Sequence, residues 1–157
     1  MTKIKYIVGV DNGKGTVGVI TPRRVYTFNT PLKKLPWYSG KNFFAIDTEK
    51  LEKMLPKPKN KASVRVFIER PMVNPSRFRN SLYAVYNHAL LEQLFYKLGW
   101  QFQVISSVEW QKHFFPDIKG TKNLKQASKE KCAELGFDTL DCDGLLIAKY
   151  YSLALSK

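Results

Sequence analysis

Two apolar, β-branched runs in this chain each stop on a carboxylate, and that feature restricts the possible folds more than any other. Lys3-Ile-Lys-Tyr-Ile-Val-Gly-Val10 ends at Asp11-Asn12-Gly13, and Val64-Arg-Val-Phe-Ile-Glu69 is followed by Arg70-Pro71. Both read as short strands, the second closed by a proline that cannot extend a sheet ladder. Thr16 to Thr21 and Val25 to Thr30 read as two more strands, joined around Pro22 into an antiparallel meander. A long helix is predicted from about Ser76 to Leu98, where Leu82, Val85, Ala89, Leu90, Leu94 and Leu98 recur at three- and four-residue steps and Gly99 takes the C-cap position. Gln101 to Ser106 reads as a fifth strand, and Ser107 to Phe114, Asn123 to Leu135 and Asp143 to Leu155 as helices, the last strongly apolar. Between Pro31 and Lys61 the pattern breaks down, leaving a connecting excursion with one short helix from Asp47 to Leu55, capped by Asp47 or Thr48. The order βββ-α-β-α predicts an α/β fold with a mixed five-stranded sheet flanked by helices. At 157 residues, 44% of them hydrophobic, a single domain over 1–157 is expected.

Charge narrows the partner. Lys and Arg number 26 against 13 Asp and Glu, a net charge of +13. So large an excess on one small body favours a polyanion, with nucleic acid ahead of an anionic membrane surface. Phosphate contacts would release counterions and make affinity fall with salt, by about 0.9 log units per contact per log unit of salt. No run reaches the ~18 apolar residues of a spanning helix, and no signal-peptide pattern opens the chain, so a cytoplasmic protein with no membrane partner is expected. Cys132 and Cys142 lie ten residues apart with no CxxC pair or histidine at ligand spacing, against both a zinc site and a disulfide framework. His88 and His113 are isolated and read as structural or surface residues.

The acids are few and unevenly placed. Asp11 and Glu69 sit where strands run out, and Asp141 and Asp143 where an apolar helix begins. If the first and fourth strands are neighbours, their ends lie ~5 Å apart, and a helix start packed across them brings further carboxylates within metal-bridging distance. Such a cluster repels itself unless divalent cations neutralise it, and oxygen ligands select Mg²⁺, with Mn²⁺ as substitute, over zinc. The chemistry implied is two-metal phosphoryl transfer at Asp11, Glu69, Asp141 and Asp143. Taken singly, each acid also has a plainer use: an Asp after a strand makes an Asx-turn, and an Asp before a helix caps it. Asp138 competes with Asp141 and reads better as a loop or cap residue.

Four segments in order, Val8-Gly-Val-Asp-Asn-Gly13, Phe67-Ile-Glu-Arg-Pro-Met-Val-Asn-Pro75, Glu109-Trp-Gln111 and Asp141-Cys-Asp-Gly-Leu-Leu-Ile-Ala148, resemble phage-borne relatives of the RuvC-type Holliday junction resolvases. The resemblance implies an RNase H-like fold, a homodimer in the host-cell cytoplasm, Mg²⁺ dependence, and paired nicks in four-way junctions, forks or flaps that leave 5′-phosphate and 3′-hydroxyl ends. It matches Asp11 to the first-strand acid, Glu69 to the central-strand acid and Asp143 to the acid before the last helix. The penultimate acid of the cellular enzymes falls on Leu140, so Asp141 is an offset substitute, and Asp-Asn-Gly replaces the usual Asp-Pro-Gly. In the resembled family a lysine supports the scissile phosphate near Lys119-Gly-Thr-Lys122-Asn-Leu-Lys125, which opens a predicted helix with free N–H groups. Lys122 is the first choice, Lys125 and Lys119 the others, and a solvated lysine face is the plain alternative.

Arg70, Arg77 and Arg79 interleave with Met72 and Phe78 directly after the central acid, a composition suited to clamping phosphates and stacking on unpaired bases. Phe78 equally suits a hydrophobic staple for the helix behind it. Tyr83, Tyr86, Phe95, Trp100 and Trp110 have spacings that fit core or dimer packing. Three other functions fit parts of the pattern: a branched-DNA-binding protein whose acids serve only as caps, an RNase H acting on RNA–DNA hybrids, and a nucleotide-binding protein. The last fails, because Gly13-Lys-Gly-Thr16 lacks P-loop spacing, and the early Asp-x-Gly of actin-like ATPases belongs to far longer, two-lobed chains. No nucleotide cofactor is expected.

Overall fold

A computed structural model describes residues 2–36 and 42–157. The elements run β1 (Tyr6–Val10), β2 (Thr16–Ile20), β3 (Val25–Asn29), β4 (Leu32–Pro36), β5 (Asn42–Ile46), α1 (Thr48–Met54), β6 (Val64–Glu69), α2 (Phe78–Leu98), β7 (Gln101–Ile105), α3 (Ser107–Phe114), α4 (Thr121–Glu134) and α5 (Asp143–Leu155). Five strands form one sheet in the order β3-β2-β1-β6-β7, antiparallel from β3 to β1 and parallel from β1 to β7. This is the mixed, helix-flanked α/β sheet that the sequence predicts.

The alternation of side chains decides which helix covers which face. Val8 and Val10 of β1 and Val64, Val66 and Ile68 of β6 point into one core, with Leu91, Leu94 and Phe95 of α2. Ile7 and Phe67 point to the opposite face, where Leu145, Leu146, Ile147 and Ala148 of α5 lie with Trp110 of α3 and Cys132 of α4. Five consecutive buried residues, Gly144 to Ala148, mark α5 as a helix enclosed on most of its circumference. The α5 axis approaches β1 and β2 closely because glycine lines the contact. Gly9 and Gly18 face each other across the β1–β2 ladder, and a Cβ on Gly18 would stand 2.2 Å from Leu145 Cα, one on Gly9 2.1 Å from Gly144 O. A Cβ on Gly144 would likewise stand 2.4 Å from Thr16 O.

Two expectations are corrected, and one open choice is resolved. The stretch from Pro31 to Lys61 is not a bare excursion: β4 and β5 pair antiparallel as a separate two-stranded sheet, with Phe43, Ala45 and Ile46 buried and α2 against β5. Lys33-Lys34 and the closing Pro36 had hidden the alternation of β4, and residues 37–41 of its connection lie outside the described residues. Asp47, not Thr48, caps α1, its side chain accepting from Lys50 N. Phe78 is 75% exposed, so it staples nothing to the helix it opens.

Candidate active site

The first and fourth predicted strands are neighbours, β1 and β6, in a parallel register that pairs Gly9 with Phe67 and Val10 with Ile68. One further step sets Asp11 opposite Glu69 at the carboxyl ends of the strands, and both continue the parity of the face covered by α5. Ligands of open α/β sheets gather at this end. The start of α5 crosses here, and single carboxylate oxygens of Asp11, Asp141 and Asp143 lie within 4.8 Å of one another. Glu69 completes the wall of the same cleft, a hollow of about 760 Å³ shared with Asp11, Asp141, Asp143, Lys122 and Lys125.

The loop that carries Asp141 is tied down from three elements. Thr16 of β2, fully buried, donates from Oγ1 to Asp141 Oδ1 (2.8 Å) and accepts from Gly144 N (3.2 Å). Asn29 of β3 accepts from Leu140 N (2.9 Å), and Ser128 of α4 accepts from Cys142 N (3.0 Å). Asp141 Oδ1 also accepts from Asp143 N at 3.0 Å, an Asx-turn leading into α5, whose N-cap is Cys142 with no side-chain cap bond, so neither Asp141 nor Asp143 is the cap residue. Asp138 is exposed and outside the cluster. Cys132 and Cys142 are buried and free, and burial with the neighbouring Cys132 pushes the Cys142 thiol far up, which leaves it inert.

The acids carry the mark of unneutralised charge. Burial, then the charges of Asp143, Glu69 and Asp141, hold the Asp11 carboxyl well above its ordinary value. Burial raises Glu69 to about 7 and Asp143 to about 6, with Asp141 adding to both. Opposing this, Lys125 lowers Asp11 and Asp143, Ser128 lowers Asp143, and a hydrogen bond from Trp110 Nε1 (3.1 Å) lowers Glu69. An all-carboxylate set repelled in this way fits a hard divalent cation bound through oxygen, and the absence of thiol or imidazole donors from the cluster argues against zinc.

Of the three lysines, Lys122 and Lys125 line the cleft, and Lys125 is the one whose charge reaches the acids; Lys119 is not among the lining residues. The start of α4 above them, at Gly120, has no side-chain cap. Arg70 lies in an adjoining hollow with Asp11, Glu69 and Met72, while Arg77, Phe78 and Arg79 are exposed at the start of α2. Sequence reasoning missed Thr16, Ser128 and the Trp110 bond, since each acts across a distance in the chain that no local spacing reveals.

No protein-family model matches the chain, and no curated protein matches it. Among solved structures, it is similar to Thermus thermophilus RuvC in complex with a Holliday junction substrate, at 9% identity over 96% of each chain with a TM-score of 0.55. A second RuvC structure from Thermus thermophilus matches at 9% identity over 96% of each chain with a TM-score of 0.49. At this identity the likeness speaks to architecture, and the chain has a RuvC-like fold.

Proposed function

We propose that this protein is a divalent-metal-dependent endonuclease that cuts branched DNA, four-way junctions foremost, as a homodimer of the phage-borne resolvase kind. The observation that carries the reading is the convergence of Asp11, Asp141 and Asp143 within 4.8 Å at the carboxyl end of a RuvC-like sheet. Asp11, Glu69, Asp141 and Asp143 would hold Mg²⁺ or Mn²⁺. The chemistry such cations supply is a lowered pKa for the attacking water and neutralisation of charge on the phosphate.

The chain's own residues do the rest. Thr16 and the backbone of Asp143 fix Asp141, and Trp110 holds Glu69, so the acids meet a substrate without rearranging. Lys122 and Lys125 stand across the cleft where a phosphodiester enters, and Lys125 adds positive charge beside Asp11 and Asp143. Arg70, Arg77 and Arg79 extend the cationic surface along the arms of the substrate, with the exposed rings and side chains of Phe78 and Met72 available to unpaired bases. The net charge of +13 supports a polyanionic substrate.

End-labelled four-way junction, Y-fork, linear duplex and RNA–DNA hybrid, each incubated with Mg²⁺, Mn²⁺ or EDTA, test the reading. Nicks confined to the branched DNAs and lost in EDTA are expected. Retarded junctions left intact in both metals would identify a binding protein instead, and preferential cutting of the hybrid an RNase H.

A further inference from the structure

The cleft does not account for the far edge of the sheet. Among the described residues, β7 pairs with β6 alone. Because Arg70 N donates to Ile105 O (2.9 Å) and Glu69 stands opposite Ile105, the peptide groups of Gln101, Gln103 and Ile105 turn towards β6. Those of Phe102 and Val104 therefore face outward. Gln-Phe-Gln-Val-Ile carries no charge and no proline, the usual guards of an exposed edge, and Gln101, Gln103 and Val104 are exposed.

α5 packs over β1 and β2, and beyond it a groove of about 310 Å³ lies along β7, lined by Arg65, Phe67, Gln103 and Tyr151. Through Arg65, Gln101 and Leu155 it shares walls with a hollow of about 1230 Å³ below the start of β1. The charged residues lining the two are Lys3, Lys5 and Arg65, with no carboxylate among them; Glu109, whose side chain bonds Tyr151, is not part of the lining.

We propose that β7 and this groove dock an acidic, extended segment of a partner protein, which joins the sheet as a strand beside β7. Main-chain bonds to Phe102 and Val104 would supply affinity, and alternate side chains would select the partner. Charge chooses among the possible occupants. Three cations without an acid favour a negative strand, whereas a second copy paired through this same edge would bring its own Lys3, Lys5 and Arg65 against them. The larger hollow is lined by aliphatic Ile4, Ile7 and Ile20, and in the groove Phe67 and Tyr151 stack on each other at 4.1 Å, so their facing sides offer no platform for the bases of single-stranded nucleic acid.

The test uses the full chain and a labelled designed peptide, Glu-Val-Glu-Ile-Glu-Phe-Glu, followed by fluorescence anisotropy, with its lysine-for-glutamate counterpart and an oligothymidylate beside it. Saturable binding of the acidic peptide in the micromolar range is expected, and none of the lysine peptide. Val104→Pro removes an outward N–H without touching the ladder to β6, and Val104→Glu places a charge on the edge that repels an acidic strand. Each should weaken the acidic peptide at least ~10-fold while melting within a few degrees of the parent. Failure of the peptide to bind, equal binding to the parent and to folded Val104 variants, or its displacement by the oligothymidylate would overturn the proposal. So would self-association that either Val104 variant abolishes.

Discussion

Thr16 and Asp141, 125 residues apart in the chain, are joined by a 2.8 Å hydrogen bond between Thr16 Oγ1 and Asp141 Oδ1. The same hydroxyl accepts from Gly144 N, so one buried side chain on β2 fixes both an acid of the cluster and the first turn of the helix behind it. Thr16→Val keeps the shape and removes both bonds. It should cost about 1–3 kcal/mol, since the Gly144 N–H is left buried and unpaired. Thr16→Ser should recover most of this. Urea denaturation measures the cost, and Mn²⁺ titration of the two folded variants should show weaker binding for Val alone.

The glycine contacts under α5 predict a sharp difference between two similar substitutions. Gly144→Ala would bring a Cβ to 2.4 Å from Thr16 O and 2.8 Å from Gly18 N, backbone that cannot move aside, and should cost about 3 kcal/mol or more. Gly13 has φ 71° but open space around it, so Gly13→Ala should cost only about 1–2 kcal/mol. Equal melting temperatures for the two variants would contradict the close approach of α5 to the sheet.

Stability without metal should fall as pH rises. Glu69 is raised by burial from 4.5 to about 7 and Asp143 from 3.8 to about 6, so the native state holds these protons more tightly than the unfolded chain. Their contribution is fully present below the unfolded values and is lost as pH rises through about 6 for Asp143 and about 7 for Glu69. Allowing for solvent screening, the loss is about 2 kcal/mol, or about 4–8 °C in Tm, between pH 4 and 8. Mn²⁺ added at pH 8 should restore it. Asp143→Asn should flatten the pH profile and reduce the gain from Mn²⁺.

Trp110→Phe isolates a hydrogen bond from a ring. The indole N–H lowers the Glu69 pKa against the effect of burial, so its loss should push Glu69 further up, by about half a unit to one unit. The acidic limb of the pH–rate profile for junction cleavage should move up by the same amount, with about 1–2 kcal/mol lost from a ring that is 1% exposed. A profile that stays in place would show that Glu69 does not govern that limb.

Legibility in the sequence followed distance along the chain. β1 and β6 could be read because their apolar runs are local and end on Asp11 and Glu69, and the period of Leu82 to Leu98 gave α2 with Gly99 in the left-handed C-cap that its φ of 69° requires. β4 could not, since Lys33, Lys34 and Pro36 disguise an edge strand that is held by its pairing with β5. The choice between Asp138 and Asp141 was open locally because both precede α5; Thr16 and Asn29, arriving from β2 and β3, set the position of the loop. Among the lysines, the family resemblance favoured Lys122; Lys122 and Lys125 both line the cleft, and the charge of Lys125 bears on Asp11 and Asp143.

Single-turnover cleavage of an end-labelled four-way junction by Asp143→Asn separates metal binding at the carboxylate cluster from DNA binding by the cationic surface. With Mg²⁺ in excess, the cleavage rate should fall at least ~10³-fold, with junction affinity within a few-fold of the parent. Cleavage that persists at the parent rate in the variant would contradict that division of roles, as would metal-dependent cutting by the parent that Asp143→Asn abolishes only by abolishing binding.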